Sequence, residues 1–246
     1  MKLVGERRAL AAIVFAFYFL VYAMLVMLGF VQPGAEAFMT GIAGVYGLAF
    51  FALVAGYFWA RWYAVGVGLY GVMMAAVGLW QARGNPALED AIPLLMFVGI
   101  THLAAALLLW GNAMSEPYDG QTAWRERFHM DDSAVQRLGR SVIRAGASLP
   151  LVIAYGLAPK PDTASTVLAF LALGLTAAGF RAMVRARTWG VLAVGAAGGL
   201  LLALAATDLA MGSTELYALR PALGGALLLS ATVPFFAPIA RFVSAR

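Results

Sequence analysis

Charge is the scarcest property of this sequence. Only 12% of its 246 residues are Asp, Glu, Lys or Arg, while 63% are hydrophobic. A soluble domain carries about twice that charged fraction. So few charges cannot cover a water-exposed surface, and a bilayer removes the need for one. Polar segments are short as well. The longest, residues 115–140, is too small to fold alone.

Other absences exclude chemistries. The chain has no cysteine, which rules out disulfide frameworks, thiolate metal sites and redox dithiols. Histidine occurs twice, at His102 and His129, too few for an ordinary zinc site. The lysines are Lys2 and Lys160, neither within an apolar run, so a retinal Schiff base has no anchor. There is no Walker-type glycine loop and no His-Glu-x-x-His. No metal and no cofactor are expected. The net charge of +5 reads as topogenic charge at helix ends, and no nucleic-acid partner is expected.

What the chain does have is a series of apolar runs: residues 9–30, 37–60, 62–81, 91–113, 142–158, 164–183, 189–207 and 216–239. Most reach the ~20 residues needed to cross the hydrocarbon core. The first follows Lys2, Arg7 and Arg8 and precedes Ala35-Glu36-Ala37, as in a cleavable signal. Its length exceeds a signal core of about 7–15 residues, so it is read as a span. Arg61, between Trp59 and Trp62, divides the second run from the third as an interfacial turn. The fifth is the weakest, being short and containing Arg144 and Pro150. The expectation is an all-α, polytopic integral membrane protein with eight transmembrane helices.

Charge sides support that count. With the N-terminus inside, fourteen Lys and Arg fall on the inner side and three, Arg83, Lys160 and Arg220, on the outer. This is a strong positive-inside bias and places both termini in the cytoplasm of a cell membrane. Removing the fifth span would put Arg181, Arg185 and Arg187 outside. Trp59, Trp62, Trp110 and Trp189 fall at inner helix ends and Trp80 at an outer one, while Trp124 lies in a loop.

A shift of 127 residues superposes Gly47 on Gly174, Leu48 on Leu175, Ala55 on Ala182, Trp62 on Trp189, Val67 on Val194, Gly68 on Gly195 and Gly71 on Gly198. Four spans per unit keep both halves in one orientation, a parallel 4+4 internal repeat. The halves are residues 1–114 and 142–246, joined by a cytoplasmic loop at 115–141. In that loop Asp131, Asp132 and Ser133 can cap a helix. Val135, Leu138 and Val142 then share one face and Arg137, Arg140 and Arg144 another. This reads as a basic amphipathic helix lying on the inner leaflet, touching anionic headgroups or a partner protein.

His102, beside Thr101, is the ionisable residue deepest in a span and the candidate intramembrane polar site. Its alternatives are a proton relay, a ligand contact or a neutral histidine bonded to a neighbouring helix. Asp208, Glu215, Glu89 and Asp90 form a candidate outer-face acidic site that would attract cations. Gly41, Gly44 and Gly47, and the Gly195-xxx-Gly199 pair, suit close helix packing within the bundle. Pro93 and Pro221 fit first-turn positions. No catalytic set emerges. The leading expectation is a non-catalytic membrane subunit, scaffold or signalling partner that packs against other membrane proteins and lipids. A small transporter or channel with its site between the repeats near His102 is the first alternative. A membrane enzyme acting on a lipid or isoprenoid is the second.

Overall fold

The computed structural model describes residues 4–57, 59–83, 85–111, 114, 126–127, 129–213 and 215–244. Residues 115–125, with Trp124, lie outside the described set. Eight long helices make up the fold, and no strand occurs among the described residues. They are α1 (Val4–Met27), α2 (Glu36–Ala55), α3 (Ala60–Ala82), α4 (Ile92–Leu108), α5 (Asp132–Leu157), α6 (Thr163–Val184), α7 (Trp189–Ala210) and α8 (Glu215–Ser244). A short 3-10 helix, Pro86–Ala91, leads into α4. Among the described residues, seven helices are long and apolar enough to cross a membrane, all but α5, with α4 counted together with the 3-10 helix as Pro86–Leu108.

The chain divides into two compact units, Met1–Tyr118 and Asp119–Arg246. In the first, α1 packs on α2, α2 on α3, α3 on α4, and α4 returns to α1. In the second, α5, α6, α7 and α8 close the same kind of ring. Each unit is therefore a four-helix bundle with neighbours antiparallel.

Helix starts and stops follow local chemistry. Asp131 caps α5 by accepting from Ala134 N–H at 2.6 Å and from the Ser133 hydroxyl at 2.8 Å. These donors hold its carboxyl below the usual range. Asp162 caps α6 through Ser165 in the same way. Pro93 sits in the first turn of α4, as expected, because the missing N–H has no helical partner there. Pro221 does not sit in a first turn: α8 begins at Glu215, which leaves Pro221 inside the helix.

α2 and α6 end in the same hydrogen-bonded turn. After α2, Gly56 N–H donates to Leu53 O and Tyr57 N–H to Ala52 O, both at 3.2 Å. After α6, Ala186 N–H donates to Met183 O and Arg187 N–H to Ala182 O, both at 2.9 Å. This Schellman turn needs a left-handed residue. Gly56 supplies it at φ 76°, but Ala186 adopts φ 54° with a side chain attached. Ala186→Gly should therefore stabilise the second bundle by about 0.5–1 kcal/mol in thermal unfolding.

α5 corrects the picture of its segment. The expected surface helix and the expected fifth span are one continuous helix, unbroken at Pro150. Its apolar stripe is packed inside protein: Val135, Leu138 and Val142 are buried. From Ala145 to Gly156 it is buried nearly all round. Small residues (Ala145, Gly146, Ser148, Ala154, Gly156) make up much of this stretch, which explains its modest hydropathy.

Backbone crossings also occur one register away from the Gly195-xxx-Gly199 pair. A Cβ on Gly199 would meet nothing, whereas one on Gly198 would lie 3.0 Å from Gly225 O, and one on Gly225 2.8 Å from Gly198 O. That glycine pair brings α7 against α8.

Candidate functional site

His102 lies in the middle of α4 and is fully buried. Its Nδ1 is 2.7 Å from Val98 O, one turn back, and its Nε2 is 2.7 Å from Tyr46 Oη on α2. A carbonyl only accepts, so the proton sits on Nδ1. Nε2 is then the acceptor and the Tyr46 hydroxyl donates to it. Both ring nitrogens are satisfied in the neutral form.

Thr101 is tied into the same layer. Its hydroxyl donates back to Phe97 O and Val98 O, at 2.8 and 3.1 Å, so the 2.6 Å contact with Tyr18 Oη is donated by the tyrosine. The Tyr18 ring lies 4.3 Å from the His102 ring and 5.3 Å from Tyr46, and Tyr22 stacks on Tyr46 at 5.5 Å. Gly71 on α3 floors the pocket: a Cβ there would lie 2.0 Å from His102 Cδ2. Three helices thus clamp one imidazole against a fourth.

Tyr18, Tyr22 and Tyr46 escaped the reading of the sequence. A signal was present, because tyrosine in a span normally sits at the membrane interface. In mid-helix, Tyr18 has left that preference for a polar partner inside, Thr101, and Tyr22 one turn on stacks against Tyr46.

The basic end of the first bundle is built from arginine on carbonyl. Arg8 bonds Leu53 O, and Val54 O at 2.9 Å, at the end of α2. Arg7 donates to Leu107 O and Trp110 O, and Arg61 to Leu109 O and Gly111 O at 2.8 and 2.7 Å, at the end of α4. Arg61 also stacks over Trp62 at 4.6 Å. These cations satisfy orphan carbonyls at the negative ends of helix dipoles.

A second polar cluster sits at one end of the other bundle. Asp208 on α7 is 3% exposed and accepts from Tyr155 Oη on α5 at 2.9 Å. Lys160, in the α5–α6 loop, donates to Tyr155 O at 2.5 Å and Ala158 O at 3.2 Å. Its ammonium lies over the Tyr155 ring at 3.7 Å and the Tyr217 ring at 5.2 Å. The Tyr217 hydroxyl donates to Pro159 O at 2.9 Å, fastening that loop to α8. Burial pushes the Lys160 ammonium down to about 8, with Asp208 opposing the shift and Arg220 reinforcing it.

The sign of the resulting pH dependence follows. Lysine titrates near 10.5 when unperturbed. Between about pH 8 and that value the unfolded chain holds a proton that the folded chain has released, so stability rises with pH across the window. Below it the cost is fully present. Unfolding measured against pH should show the wild type gaining on Lys160→Met through this window; a constant difference between the two would rule the titration out.

The remaining candidates separate. Glu89 and Asp90 are exposed on the 3-10 helix of the first bundle, whereas Asp208 is buried in the second. The side chain of Glu215 lies outside the described residues. Arg140 is exposed and Arg137 half-buried on α5. Arg144 is turned inward, its Nη1 donating to Ser230 O on α8 at 2.6 Å. His129 is exposed beside the start of α5. Among the described residues, no group of three His, Asp or Glu is placed to hold a metal ion.

All-helical architecture, seven apolar helices of spanning length and polar side chains gathered inside the bundles define a multi-pass helical membrane protein. Compared with known proteins, the chain matches no family, no curated protein and no solved structure.

Proposed function

We propose that this chain is a non-catalytic subunit or scaffold of the cell membrane, with eight spans, two fused four-helix units and both termini in the cytoplasm. The observation that carries the functional part is the closure of the polar layer around His102. The imidazole is fully buried and both nitrogens are bonded within the bundle, as is the Thr101 hydroxyl. A cargo pathway needs polar groups that face water, and a catalytic site needs groups left to meet a substrate. Here they meet each other.

Support for the eighth span comes from the enclosure of α5. A helix screened from lipid by protein needs no continuous hydrophobic run, and 26 residues at about 1.5 Å each reach across the core. Support for duplication comes from packing. Gly71 lies under His102, and Gly198 lies under Leu229; both members of the second pair are the first shifted by 127 residues. The shared turn after α2 and α6 points the same way. The inner-side assignment rests on the fourteen-to-three charge asymmetry.

The subunit reading needs a partner. On α1 the exposed residues Leu10, Ile13, Phe17, Leu20 and Met24 recur at helical spacing. Because the chain lacks cysteine, Ile13→Cys gives a single crosslinking handle. In native membranes a membrane-permeant, lysine-and-thiol-reactive crosslinker should yield one discrete heteromeric product. Only monomer, with no product above a cysteine-free control, would defeat the reading.

A further inference from the structure

The second bundle contains a cavity of about 560 Å³ among the start of α5, the end of α6, the start of α7 and the last turns of α8. Its walls are almost wholly apolar, including Leu138, Met183, Val191 and Phe235, and its polar lining comes from Arg187 and Thr188. A second hollow of about 310 Å³ shares Arg187 and is lined also by Arg181, Arg185 and Trp189. Arg187 therefore lines both an apolar hollow and a basic one. The arginines around the smaller hollow differ from four others described above. Arg7, Arg8, Arg61 and Arg144 are turned onto backbone carbonyls, whereas Arg181, Arg185 and Arg187 are exposed.

Backbone conformation marks the same place. Among the described residues, the two non-glycine residues with left-handed backbone are His129 and Ala186. Ala186 lines the apolar chamber, and His129 precedes Met130, which also lines it. Met130 and Met183 add adaptable, polarisable walls.

From these observations we infer that the second bundle holds one anionic phospholipid, with an acyl chain in the Leu138–Phe235 chamber and its phosphate-bearing headgroup on Arg187, Arg185 and Arg181. The chamber has the size of a small-ligand pocket. An acyl chain is the apolar occupant a membrane supplies, and the arginine forks match a phosphate bidentately. Trp189 borders the basic hollow, where an indole suits the headgroup level. The inference requires a membrane-embedded chain but does not depend on its being a subunit.

Native mass spectrometry of the detergent-purified protein tests it, with dioleoyl phosphatidylglycerol and dioleoyl phosphatidylcholine as probes. The expected result is a single saturable lipid adduct favouring phosphatidylglycerol by about tenfold or more. Arg185→Gln/Arg187→Gln should reduce that preference to near parity. Leu192→Trp, at an exposed lining position, should weaken both adducts by filling the chamber. Arg83→Gln, which removes an exposed basic side chain of the first bundle that lines neither hollow, should leave the preference intact. Thermal unfolding shows that each variant is folded. Equal binding of the two lipids by the wild type, or a preference that survives Arg185→Gln/Arg187→Gln, overturns the inference. So does displacement of the lipid by millimolar glycerol phosphate, because the occupant would then be a soluble anion.

Discussion

Gly71→Ala should destabilise the first bundle by about 2–4 kcal/mol, an unusually large effect for one added methyl group. The new carbon would lie 2.0 Å from His102 Cδ2, 2.3 Å from Cγ and 2.5 Å from Nε2. The imidazole has nowhere to retreat. It is fully buried, bonded at both nitrogens and faced by the Tyr18 ring at 4.3 Å. Moving it would break the bond to Tyr46 and leave a buried hydroxyl unsatisfied. Moving the backbone would part α3 from α4, where Gly68 also lies against His102 O.

Thermal unfolding in detergent reads this directly, and a double-mutant cycle tests its cause. His102→Ala alone costs about 2–4 kcal/mol through the cavity and the orphaned Tyr46 hydroxyl. Combined with Gly71→Ala, the new methyl occupies vacated space, so the double variant should be markedly more stable than the sum of the single losses implies. At Gly198 in the second bundle, the added carbon meets Leu229 Cγ at 2.9 Å but also Gly225 O at 3.0 Å. There the side chain can yield while the carbonyl cannot. A neutral Gly71→Ala would show that His102 is not clamped as described.

Asp208→Ala should cost the second bundle about 2–4 kcal/mol. The carboxylate is 3% exposed and accepts from Tyr155, itself fully buried. Its removal leaves a buried phenol without an acceptor and withdraws the negative charge that stabilises the Lys160 ammonium. Asp208→Asn keeps an acceptor but not the charge and should cost less. In both variants Lys160 should titrate below about 8, the value held up in part by Asp208. Amine acylation followed against pH measures that shift. An unchanged profile would mean that Asp208 does not act on Lys160.

The two polar clusters were not equally visible in the sequence. His102 and Thr101 stood out because polar groups in an apolar run carry a cost wherever they go. Their partners did not, since Tyr18 and Tyr46 come from helices 83 and 56 residues away and meet them only when α1, α2 and α4 close. The sequence puts Asp208 at the edge of an outer loop, although the residues from Ala205 to Met211 stay apolar around it. The structure separates it from Glu89 and Asp90 and surrounds it with Tyr155 and Lys160.

Arginine shows the same division. Its abundance at one set of helix ends is legible as topology, but its use on the carbonyls of α2 and α4 is a matter of which helix ends meet. α5 is the clearest case. Its caps and amphipathic start could be read locally, yet the fate of its apolar stripe could not.

By itself, the sequence determined the class of this protein and the positions of its helices. Hydrophobic run length and charge are local quantities, and the bilayer acts on them one segment at a time. Tertiary structure decided which polar residues are neighbours, because side chains dozens of residues apart meet only through helix packing. It also decided that α5 packs its apolar stripe into protein, and that His102 is closed within a bundle whose glycine floor leaves the ring no other place.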